Sequence, residues 1–388
     1  MKRNRWYLIA ALWTVSCLVV ATLASAFTFA MCDGTQQNKL TELENLIQQK
    51  FVGDADVAAM EDAAAYAMVD ALPDQWSYYV PKDQVRSYEE QKDNSYVGIG
   101  VTIIAQEEGL GFQVTKVEPG GSAHQAGIRP GDIMTEANGQ KLGDMDIRET
   151  RNVIAGPEGT QVQIKVLRDG TPMTFDMTLK RIDVTIAADR MLDGNVGYIT
   201  IANFNKNCAE QTIACVEKLL DEGAKTLIFD VRNNPGGYKH ELVQVLDYLL
   251  PEGDIFKSVY TDGSTNVDTS DGQCLQIPMA VLMNGDSYSA AEFFAAALSE
   301  YDWAITVGQS TGGKGYFQSG FDLSDGSVAV LSVGKYFTPK GVCLEDAGGL
   351  KPDVPVEVDE ETAALIYSQL LEAEEDPQLQ AALTALTQ

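Results

Sequence analysis

Past residue 195, short apolar runs alternate with longer segments whose apolar positions recur at helical spacing. Residues 196–201, 226–231, 279–283 and 304–307 read as strands, and residues 209–222, 239–250 and 289–299 as the helices between them. Strands apolar on both faces belong between layers of helix, so this alternation predicts a mostly parallel sheet. Residues 328–336 read as an alternating strand. Residues 360–372 and 378–387 read as amphipathic helices for packing or dimerisation, with Pro377 at the break.

Residues 95–182 have a different texture. The run Val97-Gly98-Ile99-Gly100-Val101-Thr102-Ile103 opens a strand, and residues 112–117, 133–137, 162–166 and 173–179 supply four more. Pro119-Gly120-Gly121-Ser122, Arg129-Pro130-Gly131-Asp132 and Asn138-Gly139 set turns between them. Short helices are expected at 124–127 and 146–154. Residues 36–94 read mainly helical: Leu40, Leu43, Leu46 and Ile47 share one helical face, and a second helix is expected across 54–72. The domain scheme is therefore 1–35, a helical region 36–94, a small β-rich domain 95–182, an α/β core 183–358 and C-terminal helices 359–388.

The first of these segments is a membrane signal. Lys2, Arg3 and Arg5 precede a stretch from 6 to 31 without a charge, longer than the ~20 residues that span a bilayer. Basic residues before it and Asp33 after it predict a cytoplasmic N-terminus and a single-pass cell-membrane protein whose bulk is extracytoplasmic. Ala24-Ser25-Ala26 has the small-x-small form of a cleavage site, so a removed signal peptide, leaving a secreted or periplasmic chain, is the alternative.

Composition narrows the chemistry. The 388 residues carry a net charge of −28, which repels phosphate backbones and argues against nucleic-acid partners. Only His124 and His240 are available, so a His-rich metal site is excluded and a Ser-His-Asp triad would have to use one of them. Cys17, Cys32, Cys208, Cys215, Cys274 and Cys343 contain no CxxC pair, and no metal or organic cofactor is expected. Cys208 and Cys215 would lie about 10 Å apart along one helix, too far for a disulfide. Cys274 and Cys343 are open to either pairing or burial as free thiols.

Three segments carry possible chemistry. Asp230-Val231-Arg232-Asn233-Asn234-Pro235-Gly236-Gly237 takes a buried strand into a glycine turn whose N–H groups suit a developing oxyanion. Asn284-Gly285-Asp286-Ser287-Tyr288-Ser289-Ala290-Ala291-Glu292 puts a serine at a helix N-terminus, where unpaired N–H groups favour negative charge. A plain helix cap, with Glu292 completing a capping box on Ser289, accounts for that segment equally well. Gly308-Gln309-Ser310-Thr311-Gly312-Gly313-Lys314-Gly315 holds a lysine inside a glycine loop. Buried there, its pKa would fall from about 10.4 toward the range of a general base; a solvated loop lysine is the plain alternative.

Together these segments resemble the carboxyl-terminal processing, or tail-specific, peptidases of family S41. The resemblance runs from about residue 39 to 355 and includes Tyr336-Phe337-Thr338-Pro339-Lys340-Gly341 and Gly349-Leu350-Lys351-Pro352-Asp353. It implies a serine endopeptidase with Ser289, three residues before the glutamate, as nucleophile and Lys314 as base. It further implies Gln318 as the residue that orients the lysine, and the amides of Gly236 and Ala290 as oxyanion donors. Residues 95–182 resemble a PDZ domain of the bacterial protease kind, through Tyr96-Val97-Gly98-Ile99-Gly100, Gly121-Ser122-Ala123, Ala126-Gly127-Ile128-Arg129-Pro130-Gly131-Asp132 and Asn138-Gly139. That implies binding of protein C-termini at Tyr96, Val97, Gly98, Ile99 and Gly100 by strand addition. The fold implied is α/β and β mixed: a crotonase- or Clp-protease-like core with an inserted PDZ gate and an N-terminal transmembrane helix.

Two positions depart from the family pattern. Gly312 stands where an aromatic is common, and Tyr288 replaces a small residue beside the nucleophile; Tyr316 and Phe317 are the expected substitutes for the lost aromatic packing. An inactive PDZ-led scaffold on the same fold is the alternative function. A phosphate loop fails because Gly315 stands where magnesium needs Ser or Thr, and Ser332-Val333-Gly334-Lys335 lies in a strand without its partner motifs.

Overall fold

Two capped helices come first among the described residues. The computed structural model describes residues 38–106, 109–368 and 370–387. The expected membrane segment and cleavage site, with Cys17 and Cys32, lie outside them. Among the described residues no helix is long and apolar enough to cross a membrane. The chain divides after Ala71 into two units. In the first, α1 (Lys39–Lys50) is capped by Asn38 and α2 (Val57–Asp70) by Asp56. Leu40, Leu43 and Leu46 remain exposed.

The second unit begins at Leu72, inside the region the sequence pattern reads as mainly helical. It holds a three-residue strand, β1 (Tyr78–Val80), then α3 (Lys82–Lys92). So short a strand leaves no periodicity to read; its partner, residues 328–330, arrives only late in the chain.

The β-rich domain follows as expected. Its strands are β2 (Ser95–Gly98), β3 (Val101–Ala105), β4 (Phe112–Val117), β5 (Ile133–Ala137), β6 (Gln140–Lys141), β7 (Gln161–Arg168), β8 (Thr171–Thr178) and β9 (Lys180–Asp183), with helices α4 (Ser122–Ala126) and α5 (Ile147–Ile154). The main sheet runs β3-β4-β5-β7-β8, while β2 and β9 pair as a separate ribbon. Alternate residues Phe112, Val114, Met134, Ile164 and Val166 point into one core. Asp146 and Glu149 form a reciprocal cap that starts α5.

The α/β core comprises β10 (Ala187–Leu192), β11 (Val196–Ile201), α6 (Cys208–Asp221), β12 (Thr226–Asp230), α7 (Lys239–Leu249), β13 (Gly253–Tyr260), β14 (Thr265–Ser270), β15 (Met279–Met283), α8 (Ala290–Glu300) and β16 (Ala304–Gly308). It closes with β17 (Tyr316–Asp322), β18 (Val328–Phe337), α9 (Leu344–Ala347), β19 (Val354–Pro355), α10 (Glu360–Tyr367) and α11 (Pro377–Ala385). One sheet runs β10-β11-β12-β15-β16-β19, and the other β1-β18-β13-β14 with β17 against β18. In the first sheet β10 is antiparallel to β11 and the remaining neighbours are parallel. Helices α6, α7 and α8 bury one face against Ile199, Phe229 and Val281. Helix α11 covers the other through Leu379 and Ala382 on Ile228, Ala280 and Leu282. Every residue of β15 is buried, as its unbroken apolar run requires.

The structure sharpens one expectation and decides one question left open. Pro377 does not merely break a helix but begins α11, where its missing N–H is an unused donor in any case, behind the cap Asp376. Cys274 and Cys343 are free thiols, as are Cys208 and Cys215.

Candidate active site

Three loops leave the carboxyl ends of β12, β15 and β16, the place where parallel sheets gather ligands. After β12, Asn234 is fully buried and acts as a clamp. Its Nδ2 donates to Ile201 O (2.7 Å), its Oδ1 accepts from Gly236 N (2.8 Å), and its main-chain oxygen accepts from Tyr288 N (2.9 Å). Two residues before it, Arg232 is held by Asp230 and by Asp376 and Gln378 at the start of α11, with Nη2 contacts of 2.6 Å to Asp230 and 2.8 Å to Asp376.

After β15, Ser287 and Ser289 separate in role. Ser287 is fully buried and its hydroxyl donates to Val231 O (2.8 Å), tying the second loop to the first. Ser289 caps α8 with φ 53° and ψ −118°, a left-handed conformation unusual for a side chain and of the kind stored at functional turns. Gly236 packs directly on it: a Cβ there would lie 2.8 Å from Ser289 Cβ and 2.9 Å from Ala290 N. The Ala290 amide, first in its helix, has no acceptor among the described residues. The Gly236 amide does have one, Asn234 Oδ1, and would have to leave it to receive an oxyanion.

Glu292 joins the second loop to the third. Its carboxylate is fully buried and accepts four hydrogen bonds: Ser289 N (2.8 Å), Lys314 N (2.8 Å), Gly313 N (2.7 Å) and Thr311 Oγ1 (2.6 Å). One oxygen, Oε2, holds the amides of both Ser289 and Lys314. Burial raises the carboxyl above its ordinary range while these donors pull it back.

Lys314 itself is depressed to about 8, first by loss of solvent and next by the Lys92 ammonium; Asp74, Glu292 and Glu345 oppose the shift. Lys92, from α3, is itself lowered by burial and lies over the rings of Tyr238 (5.4 Å) and Tyr88 (5.7 Å). Lys314 Nζ lies 4.8 Å from the centre of the Trp76 ring. Gln318, implied to orient the lysine, instead donates to Tyr316 O (3.1 Å) and Ser332 Oγ (3.0 Å).

The two departures from the family pattern explain one another. A Cβ at Gly312 would lie 1.8 Å from Tyr288 Cε1, so the Tyr288 ring occupies the space an ordinary residue 312 would fill. The Tyr288 ring fills this space, while Tyr316 and Phe317, the expected substitutes, lie in β17, where Phe317 stacks on Tyr336 at 4.6 Å. Tyr288 also meets the edge of Trp76 at 5.6 Å. Trp76, Lys92 and Asp74 were missed in the sequence because no motif links them to a lysine more than two hundred residues away.

In the β-rich domain Tyr96, Val97 and Gly98 sit in β2, paired to β9. Ile99 is buried and Gly100 takes φ +80° to turn into β3. Strand β3 pairs with β4 alone, so its outer edge is open among the described residues. His124 and His240 lie outside both sites, and the His240 side chain is 62% exposed.

Comparison with known proteins finds relatives along most of the chain. The family model for peptidase family S41 matches residues 195–356, and a PDZ domain model matches 113–168. The carboxy-terminal processing protease CtpA of Bacillus subtilis is 31% identical over 360 residues, covering 88% of this chain and 76% of that one. A "Probable CtpA-like serine protease" of Staphylococcus aureus is 30% identical over 366 residues, covering 91% and 73%. Among solved structures, a Bacteroides fragilis protein assigned to the S41 proteases is 15% identical with a TM-score of 0.51, over 89% of this chain and 96% of that one, a likeness of fold. With a relative this similar along most of both chains, and the S41 and PDZ models falling on the two domains just described, the chain belongs to the carboxy-terminal processing serine proteases of family S41.

Proposed function

We propose that this protein is a serine endopeptidase in which Ser289 is the nucleophile and Lys314 the general base, acting on protein substrates whose free C-termini dock at Tyr96–Gly100, the segment that leads into the open-edged strand β3. The observation that carries the reading is the shared Glu292 oxygen, which fixes the backbones of Ser289 and Lys314 against each other across two loops. A helix cap needs no such bridge to a half-buried lysine of lowered pKa.

In this mechanism neutral Lys314 takes the Ser289 Oγ proton as Oγ attacks the scissile carbonyl. The Ala290 amide, and Gly236 once released by Asn234, hold the oxyanion. Lys314 returns the proton to the leaving amine, leaving an acyl ester on Ser289. Water then gives a proton to Lys314 and its hydroxide to the acyl carbon; the bond from that carbon to Ser289 Oγ breaks, and Lys314 returns the proton to Oγ, releasing the product acid and the free serine with the base neutral again. Lys314 Nζ rests on Trp76 in this conformation, so a shift toward Ser289 accompanies activation, with the PDZ-type domain as gate. The uncharged stretch 6–31 would anchor the enzyme with its catalytic part outside the cytoplasm. Homodimerisation through the terminal helices belongs to the same reading.

The test is cleavage of an unstructured protein with an apolar C-terminus by the full-length chain, beside Ser289→Ala and Lys314→Ala. Both variants lose activity while keeping their melting transition, and a fluorophosphonate labels the parent at Ser289. The base must be neutral, so the rate rises with pH through about 8. A rate flat between roughly pH 6 and 10 would rule out lysine as the base. A parent that binds the peptide but never cuts would favour the scaffold.

A further inference from the structure

We propose that Trp76 is a positioning residue for the reaction: its indole face is the station on which Lys314 Nζ is held beside the nucleophile loop, shielded from water and from nearby carboxylates. The inference rests on Lys314 as the base and adds a residue that no motif marks.

The surroundings of Nζ state a chemical problem. A base that must be neutral before attack and cationic after it needs a partner for the cation that is not an anion. A carboxylate in contact would hold the proton and abolish the base near neutral pH. An aromatic face supports the ammonium by about 0.5–2 kcal/mol without a formal charge. Four charged groups act on Lys314: Lys92 from α3, Asp74 from the turn before β1, Glu292 from α8 and Glu345 from α9. Among the described residues none forms an ion pair with it. Glu292 is saturated by its four donors.

Trp76 engages the other two carboxylates. Its main-chain N–H donates to Asp74 Oδ1 (3.0 Å) and its indole Nε1 donates to Glu345 Oε2 (3.0 Å), so both anions are turned to its polar atoms while the ring faces Nζ. Glu345 Oε2 also accepts from Gly315 N (3.2 Å), which fixes the indole to the residue after the lysine. On the other side Ser77 Oγ donates to Asp74 Oδ2 (2.5 Å) and accepts from Ser332 N (2.9 Å), and Ser332 Oγ accepts from Gln318 Nε2 (3.0 Å). One turn thus braces the lysine side chain, its loop and Gln318.

The experiment titrates Lys314 directly. In the full-length Ser289→Ala protein, carbon-13 labelling of the lysine ε-carbons and assignment by Lys314→Arg give its pKa with Trp76, Trp76→Ala and Trp76→Phe. Trp76→Ala admits water and the two carboxylates, and moves the Lys314 titration up by about one unit or more toward 10.4. Trp76→Phe stays within about half a unit of the parent. In the Ser289 enzyme, Trp76→Ala loses about tenfold in kcat near neutral pH, with KM within about twofold, and recovers at high pH. Trp76→Phe restores most of the rate. Should Lys314→Ala be dead while Trp76→Ala leaves the titration and the acid limb in place, the dyad stands and the role of Trp76 is overturned. A loss equal at all pH values also overturns it, as packing alone. Should Lys314→Ala cleave normally, the dyad reading falls, and the reaction role of Trp76 with it.

Discussion

Replacing Glu292 by glutamine changes almost no volume but halves the acceptors on which two loops depend. The carboxylate receives four donors, two at each oxygen. A glutamine keeps one oxygen and turns an NH2 group toward the other pair. If that pair is Thr311 and Gly313, the Thr311 hydroxyl can rotate and one N–H is orphaned; if it is Ser289 and Lys314, two are. Each buried unsatisfied donor costs about 1–3 kcal/mol. Relief of the buried charge offsets part of this, so the expected loss is about 2–4 kcal/mol at neutral pH. Chemical denaturation followed by tryptophan fluorescence reads it, and peptidase activity falls in the same variant because Ser289 and Lys314 are no longer fixed together. The pH dependence has a defined sign. The folded carboxyl is raised, chiefly by burial, so between its unfolded pKa of about 4.3 and its folded value the native state binds more protons. The stability contributed by this group falls as pH rises through that window, and Glu292→Gln loses that slope. A variant within about 1 kcal/mol of the parent would refute the account of Glu292 as the tie between the loops.

Gly312→Ala must displace the Tyr288 ring, so it should cost about 1–3 kcal/mol. Tyr288→Ala should relieve it, and a double-mutant cycle on thermal melts that came out additive would contradict the exchange of aromatic position. Asp376→Ala removes a partner of the buried Arg232 and the cap of α11. It should lower stability by about 3 kcal/mol or more and reduce activity, although the substitution lies far along the chain from Ser289. Unfolding with an unchanged midpoint would show the pair to be dispensable.

Much of the framework was legible because local and tertiary signals agree in it. The strands 196–201 and 279–283 end where the apolar runs end, and helices α6 and α8 differ from expectation by one residue at their ends, whereas the helix expected over 360–372 stops at Tyr367. Ser289, Lys314 and Glu292 sit in motifs short enough to read, and the structure gathers them in one place. What was not legible depends on contacts between distant segments. The strand at Tyr78–Val80 exists only because residues 328–330 complete it. The indole of Trp76 meets Glu345 across 269 positions. Gly312 and Tyr288 look like two unrelated oddities until the ring of one is seen in the space of the other. The hydrogen bond from Gly236 N to Asn234 is a conformational detail that no residue type dictates.

The dependence of Arg232 on Asp376 and Gln378 has a consequence for the order in which the protein is made. Synthesis delivers the N-terminal segments first, so both the Ser289 and Lys314 loops have emerged before the helix that completes the support of Arg232. A half-made chain therefore carries the reactive groups without their foundation. In a peptidase of this family, the loops of Ser289 and Lys314 would then reach their folded form only after the segment carrying Asp376 and Gln378 has emerged.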